Sequence, residues 1–335
     1  MLETSPPPLM HFRLTILGCS SAIPAYGRNP SGQWVVHNQH SFLLDCGEAT
    51  QLRLQQYRLS IRNLRAVLIS HLHGDHVYGL PGLLSTLSIN GRTKPLPLVG
   101  PPGLAAYLKH TFDHTHTTLK YPLDVRELDP GNPEIYTQPV YESDKLWVYP
   151  LPLQHRVPTL GFRFQEKPRR PKLKVQAALA AGAVKEEFHL LKQGVDVQRA
   201  DGTLLRAADF LAPAEPALCY AYCTDTRYHP PLADYIRGAD LVYHDATFRQ
   251  EHAERAEETA HTTALQAARL ALDAGIRHLL LGHFSARYKE LEPHLEEARA
   301  VFPETYLAYD GLTVEVGQAP APRPNFPTRA ERAEA

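Results

Sequence analysis

The sequence predicts an α/β fold, and two observations carry that expectation. Short apolar runs alternate along the chain with segments whose apolar residues recur at helical spacing. Several of the runs are unbroken and not alternating, as strands buried on both faces require. The chain has 335 residues, enough for one large domain or two small ones. With 35 basic against 36 acidic residues, a polyanionic partner would have to be met by a local basic patch and not by overall charge.

Taken in order, the strands are "FRLTILG" from Phe12, "SFLLDCG" from Ser41, "LRAVLIS" from Leu64, "PLPLVG" from Pro95 and "KLWVYPLPL" from Lys145. They continue with "LCYAYCTDT" from Leu218, "DLVYHDA" from Asp240, "RHLLLGH" from Arg277 and "TYLAYDG" from Thr305. Each is six to nine residues, mainly of apolar or β-branched character and bounded by turn formers. Between them, "EATQLRLQQYR", "GLAAYLKHTF", "TTALQAARLALDAG" and "HLEEARAVF" have helical periodicity. No internal repeat is visible.

Three stretches depart from this rhythm. Residues 1–10 and the tail "QAPAPRPNFPTRAERAEA", 318–335, are rich in Pro and Ala and are expected to be disordered, which leaves 11–317 as the folded domain. From about Lys167 to Pro213 the chain opens with "KPRRPKLK", contains one short Ala-rich helix and offers no core of its own, so it reads as an insertion projecting from the main domain. The four cysteines, Cys19, Cys46, Cys219 and Cys223, lack the paired spacing of a structural zinc site and read as buried thiols. No apolar run approaches the ~18 residues of a membrane span, and "MLETSPPPLM" has no leader pattern, so a soluble, cytoplasmic protein without membrane partners is expected.

The chemistry concentrates in "SHLHGDHVYG", where His71, His73, Asp75 and His76 fall within six positions directly after a buried strand. Four coordinating side chains this close compete for one small volume unless a divalent ion holds them. One loop cannot complete two coordination spheres. Further donors stand after other strand-like runs: His155 in "PLQHRV", Asp225 in "CTDTR" and His283 in "LLGHFS". Alone, each could be a cap or a turn former, but strand ends that deliver only His and Asp point to one metal centre at the C-terminal edge of a sheet. His110, His114 and His116 have metal-like spacing too, but they follow a helix and precede no strand end, so they are left out of the site.

"LGCSSAIP", "LLDCGEATQ", "HLHGDHVYGLPGLL", "GFRFQEKP", "CTDTR", "HDATF", "AHTT" and "GHFSARY", in that order, resemble the ribonuclease Z family of tRNA 3′-processing endonucleases in the metallo-β-lactamase superfamily. The resemblance covers about residues 11 to 316 and implies a four-layered αββα sandwich with a protruding exosite arm and two zinc ions per subunit at one edge. It places His71, His73 and His155 on the first ion, Asp75, His76 and His283 on the second, and Asp225 across both. Manganese is an alternative occupant of such His/Asp sites. Asp75, beside both metal and nucleophile, is then the natural general base. The resemblance makes His261 the proton donor to the leaving ribose oxygen and Asp245 its orienting partner. Asp245 stands where the family has Glu, one methylene longer.

Ser285 and Arg287 are expected beside a bound phosphate, with Arg287 suited to bidentate contact. Arg28 and Asn29, in a loop where Tyr26 replaces a common Lys, are expected to contact the substrate near its 3′ end. The insertion supplies Lys167, Arg169, Arg170, Lys172 and Lys174, a basic run suited to phosphate contacts with a folded RNA. It resembles the family's tRNA-gripping arm, although the Gly-Pro motif often found there is absent. Precursor tRNA as substrate, a homodimer and no role for DNA follow from the resemblance. The competing readings are a phosphodiesterase of the same fold acting on small phosphodiesters or cyclic nucleotides, and a zinc-bound tRNA-binding protein without turnover.

Overall fold

The computed structural model describes residues 12–321, so the expectations for 1–10 and for 322–335 lie outside the described residues. The chain divides into two compact units: residues 12–142, 146–165 and 218–321 form the larger, and 143–145 with 166–217 form the smaller.

The larger unit contains two seven-stranded sheets. In the first, strands run in the spatial order Thr313–Glu315, Phe12–Gly18, Gly32–His37, His40–Leu44, Leu64–Leu68, Leu96–Gly100, Leu123–Glu127. In the second, the order is Thr305–Leu307, Leu279–Gly282, Leu241–Asp245, Cys219–Cys223, Leu160–Glu166, Leu146–Pro152, Tyr141–Glu142. Each sheet has parallel strands at its centre, which explains the unbroken apolar runs: both faces are covered.

The alternation of side chains sorts the core into layers. Phe42, Leu44, Ala66 and Leu68 join one buried cluster with Phe162, Phe164, Tyr220 and Tyr222 of the second sheet. Phe42 and Phe164 meet edge to face at 5.4 Å between ring centroids. Their chain neighbours Leu43 and Val67 point the other way, into a second cluster with Leu80, Leu83, Leu84, Leu87, Leu104 and Leu108 of the helices Leu80–Ile89 and Leu104–His114. The helix Ala264–Ala274 buries Ala267, Ala268 and Ala271 against the second sheet's side of the core. This is the αββα arrangement of a metallo-β-lactamase fold.

The site is positioned by strand register. Cys223 pairs with His244, and Asp245 pairs with Gly282, so three parallel strands end together at one edge. Gly282 is dictated by packing: a Cβ there would lie 2.2 Å from the Tyr243 ring. In the first sheet, strand Leu64–Leu68 runs parallel to its neighbours and delivers the histidine loop at its own C-terminal end.

The smaller unit differs from expectation in two respects, the first being that it has three short helices, Val175–Ala180, Phe188–Lys192 and Ala207–Phe210, and not one. Second, it has a small core of its own, in which Ala178, Ala183, Leu191, Leu205, Ala207 and Phe210 are buried together. Those residues lie on short helices and on two-stranded ladders such as Lys172–Leu173 with Leu211–Ala212. Elements of two to six residues are too short to build a periodic pattern, which is why the sequence does not announce them.

Candidate active site

Seven side chains from four loops converge in the larger unit. His71, His73, His155 and Asp225 offer ligand atoms that all lie within 4.8 Å of one another, and Asp75, His76 and His283 form a second such group. Asp225 connects the two with one oxygen each. Its Oδ2 lies 3.6 Å from His71 Nε2 and 3.9 Å from His155 Nε2. Its Oδ1 lies 3.2 Å from His76 Nε2 and 3.1 Å from His283 Nε2. Asp75 Oδ2 completes the second set, 3.4 Å from His76 Nε2 and 3.5 Å from His283 Nε2. In the first set His73 presents Nδ1, 3.0 Å from His71 Nε2.

The donor chemistry fits divalent cations. Nε2 of His76, His155 and His283 is buried without a hydrogen-bond partner. Such an orphan is costly unless something accepts its lone pair. In each ring the other nitrogen is fixed: His76 Nδ1 on Asp45 Oδ2 at 2.7 Å, His155 Nδ1 on the Ala260 carbonyl at 2.8 Å, and His283 Nδ1 on Thr247 Oγ1 at 2.9 Å. A hydrogen donated from Nδ1 selects the tautomer whose Nε2 carries the inward lone pair. His73, Asp75, Asp225 and the buried rings thus supply nitrogen and carboxylate oxygen only, a set suited to zinc or manganese.

Electrostatics follow from the crowding. Burial pushes His71 well below the ordinary histidine range, and burial likewise lowers His155 to about 4. Burial opposes a charge on His76 too, but the carboxylates of Asp225, Asp75 and Asp45 outweigh it and hold that ring well above its usual value. Burial would raise Asp75 and Asp225, yet the surrounding imidazoles hold both carboxyls far below the normal carboxylate range. A cation held by these ligands would take the place of the proton that the carboxylates otherwise draw onto His76 and would leave its Nε2 lone pair free to coordinate.

Next to the clusters stands a His–Asp pair. His261 Nδ1 donates to Asp245 Oδ2 at 2.8 Å, so the shorter carboxylate does reach the ring. Asp245 is drawn toward it by three further donors: Thr226 N–H at 3.1 Å, Thr247 N–H at 2.8 Å and Thr247 Oγ1 at 2.6 Å. Burial disfavours charge on His261, but the Asp245 carboxylate raises it above the ordinary value. A ligand atom of His261 lies within 4.8 Å of one on Asp225 and one on His283, so the ring borders the metal-binding volume. Its loop is pinned by Thr262 Oγ1, which donates to the Thr226 carbonyl at 2.5 Å, and by the capping box of Thr263 and Gln266 that starts the following helix.

Residues 12–121 match a family described as anti-Pycsar protein Apyc1, a stretch that ends before His155, Asp225, His261 and His283. A ribonuclease Z of Bacteroides fragilis (strain YCH46) is 40% identical over 305 residues, which cover 91% of this chain and 99% of that protein. The chain belongs to the ribonuclease Z family. The crystal structure of human tRNase Z, short form, superposes with a TM-score of 0.66 at 25% identity, covering 91% of this chain and 99% of that one. The metallo-β-lactamase fold protein YhfI of Bacillus subtilis, at a TM-score of 0.64 and 21% identity over 91% of this chain and 99% of its own, shares the fold.

In this ribonuclease Z family member the remaining candidates occupy varied surroundings. Arg287 is exposed, with its guanidinium 5.4 Å from the centre of the Phe248 ring, and half-buried Ser285 accepts from the Arg287 N–H at 3.4 Å. Arg28 and Asn29 are engaged inside the protein: Arg28 Nη2 donates to the Tyr288 carbonyl at 2.6 Å, and Asn29 N–H and Nδ2 both donate to Asp310 Oδ2, at 2.9 and 2.7 Å. In the smaller unit Arg169 is paired with Glu166 and Glu215, and Lys172 with Glu215, while Arg170 and Lys174 are exposed. His110, His114 and His116 are exposed at the end of the helix Leu104–His114.

The sequence reading did not single out the residues behind the ligands. Asp45 is fully buried and accepts from His76 Nδ1, from Ser70 N–H and Oγ, and from Tyr222 Oη. Thr247 serves both His283 and Asp245. The backbone is left-handed at both Asp45 (φ 53°) and His283 (φ 58°), a strained conformation held at the site by these contacts. The only sequence signal for Asp45 is an acidic residue at the end of an apolar strand, which is also what a simple cap looks like.

Proposed function

We propose that this endoribonuclease removes the 3′ trailer from precursor tRNA, leaving a 3′-hydroxyl on the tRNA and a 5′-phosphate on the trailer, with two zinc ions per subunit. The observation that carries the reading is the pair of ligand sets sharing Asp225 beside the His261–Asp245 pair. His71, His73 and His155 would hold one ion and Asp75, His76 and His283 the other, with Asp225 between them. Bound there, two such cations would lower the pKa of a water for attack and would offset the charge on the phosphodiester oxygens.

The chain's own residues then handle protons and position. Asp75, anchored by the Ala22 N–H at 2.8 Å from Oδ2, takes the proton of the attacking water. His261, oriented by Asp245, donates a proton to the departing ribose 3′ oxygen. Arg287 and Ser285 steady the phosphate. The basic residues Lys167, Arg169, Arg170, Lys172 and Lys174 of the smaller unit meet tRNA phosphates, with Arg170 and Lys174 the more available of the five. A homodimer belongs to the same proposal, in which Leu52 and Ile89, on the helices Thr50–Gln56 and Leu80–Ile89 and 66% and 80% exposed, would be covered by the partner. Among the described residues no helix is long and apolar enough to cross a membrane; a cytoplasmic location belongs to the same proposal.

The test is to map cleavage on purified precursor tRNAs and to measure bound metal by elemental analysis. Deleting residues 167–213 should abolish precursor cleavage and spare hydrolysis of a small chromogenic phosphodiester. Equal loss of both would argue for a phosphodiesterase of small substrates whose insertion is structural.

A further inference from the structure

The loop before Pro30 carries a feature that metal binding does not use. Ala25 and Arg28 exchange both backbone hydrogen bonds, at 3.0 and 2.9 Å, and so close a two-residue turn. At its tip Tyr26 and Gly27 both have positive φ, 52° and 78°. Such a turn requires the left-handed region at both central positions, which is why Asn-Gly and Asp-Gly are its usual occupants. Glycine adopts that conformation freely. A tyrosine there is strained, and this one does not recover the strain by burial, since it is 53% exposed.

The turn is held on every side. Ser20 Oγ donates to the Ile23 carbonyl at 2.8 Å, Asn29 is clamped to Asp310, and the Arg28 guanidinium is fixed on the Tyr288 carbonyl. That same guanidinium lies 5.4 Å from the centre of the Tyr26 ring, a cation–π contact that steadies the ring from the protein side. Ala22 N–H meanwhile donates to Asp75 Oδ2 at 2.8 Å, which ties the loop to the ligand cluster. Tyr26 is four positions along the chain from Ala22, a reach of at most ~14 Å. An aromatic ring is therefore held rigid, exposed and within one or two nucleotides' reach of the reacting phosphate.

We propose that Tyr26 is a stacking platform for the unpaired nucleobase next to the scissile phosphodiester, a binding site for RNA separate from the phosphate contacts. The inference rests on the nuclease reading given above. Stacking suits an enzyme whose substrates differ in trailer sequence, because every base presents a π-face and none needs a particular hydrogen-bond pattern. In this arrangement Arg28 acts as the prop of the ring and not as a phosphate ligand. Fixing the ring beforehand removes the ordering cost that a mobile tyrosine would incur on binding.

The experiment is a cycle of protein and substrate changes read by single-turnover kinetics on one precursor tRNA. Tyr26→Asn removes the ring while supplying a residue the turn prefers, so loop collapse does not mimic the effect, and Tyr26→Phe keeps the ring without its hydroxyl. The substrate counterpart is the same precursor with an abasic nucleotide on one or the other side of the cut. Tyr26→Asn should lower kcat/KM by roughly 5- to 150-fold on the complete substrate, Tyr26→Phe should stay within about threefold of the parent, and on one abasic substrate Asn and parent should converge. A loss that is equal on complete and abasic substrates, or a Phe variant as poor as the Asn variant, overturns the platform. A parent that cuts no precursor tRNA overturns the nuclease reading and the platform together.

Discussion

Replacing Asp45 with asparagine isolates the support behind the metal ligands. In the native protein three donors converge on Oδ2, from His76 Nδ1 at 2.7 Å, Ser70 Oγ at 2.8 Å and Tyr222 Oη at 2.6 Å, while Oδ1 accepts from Ser70 N–H at 2.7 Å. Asparagine has one acceptor oxygen and one NH₂. If the oxygen takes the place of Oδ2, the amide nitrogen faces the Ser70 N–H; in the other orientation it faces three donors. At least one buried donor is left unsatisfied, at a cost of about 1–3 kcal/mol, and the charge assistance to the remaining bonds is lost as well. The His76 ring also loses the carboxylate that fixes its Nδ1 hydrogen, a change that typically weakens metal binding ~10- to 100-fold, or about 1.4–2.7 kcal/mol. In the proposed two-ion arrangement the effect should fall on the ion assigned to Asp75, His76 and His283 and leave the other largely in place. Urea unfolding of the metal-stripped protein measures the first term, and competition with a chelator of known affinity measures the second. A variant with the parent's unfolding midpoint and two ions bound at parental affinity would refute this account of Asp45.

Other substitutions probe separate parts of the site. His261→Ala should retain the parent's metal content by elemental analysis and lose about 10²- to 10⁴-fold in single-turnover rate, and a variant as active as the parent would remove His261 from the mechanism. His294 is fully buried between Phe284 and Tyr288, and burial, reinforced by the charges of Arg249 and Arg28, pushes it down to about 3. The unfolded chain therefore takes up its proton first as pH falls, so stability is intact above pH ~6.5 and declines below it toward pH ~3, at about 1.4 kcal/mol per unit. His294→Leu should flatten that part of the stability curve measured by urea titration, and an unchanged slope would contradict the assignment. Arg170→Ala combined with Lys174→Ala should weaken precursor binding and reduce the slope of log K against log salt by ~0.7–0.9 for each phosphate contact removed. Stripping the metal should lower the melting temperature, with recovery on adding zinc, since an ion bound only by the folded state stabilises it by mass action.

The two sheets were legible to different degrees, for physical reasons. Parallel central strands such as Leu64–Leu68, Leu241–Asp245 and Leu279–Gly282 are mainly apolar because both faces are largely covered, with only Arg65 among them exposed and with His244 and Asp245 at the end that meets the site, and the sequence announces them. Strand Leu123–Glu127, at the sheet's edge, has no fully buried residue, and Thr313–Glu315 is three residues long, so neither leaves a periodic signal. Strand Gly32–His37 leaves no clear signal although it is almost wholly buried, since Gly32, Gln33 and His37 confine its apolar run to Trp34, Val35 and Val36. Asp45 was passed over because one acidic residue after a strand carries no information about what lies across the fold.

By itself the sequence determined the supply of donors: which histidines and aspartates stand at the ends of which strands. That information is local, written in hydrophobic runs and the residues that end them. Only the tertiary structure decided that the two oxygens of Asp225 face different ligand sets, that Asp245 reaches His261 despite its shorter side chain, and that Arg28 and Asn29 turn inward. Those outcomes depend on distances between loops far apart in the chain, and these are set by the register of strands across two packed sheets, which no local pattern encodes.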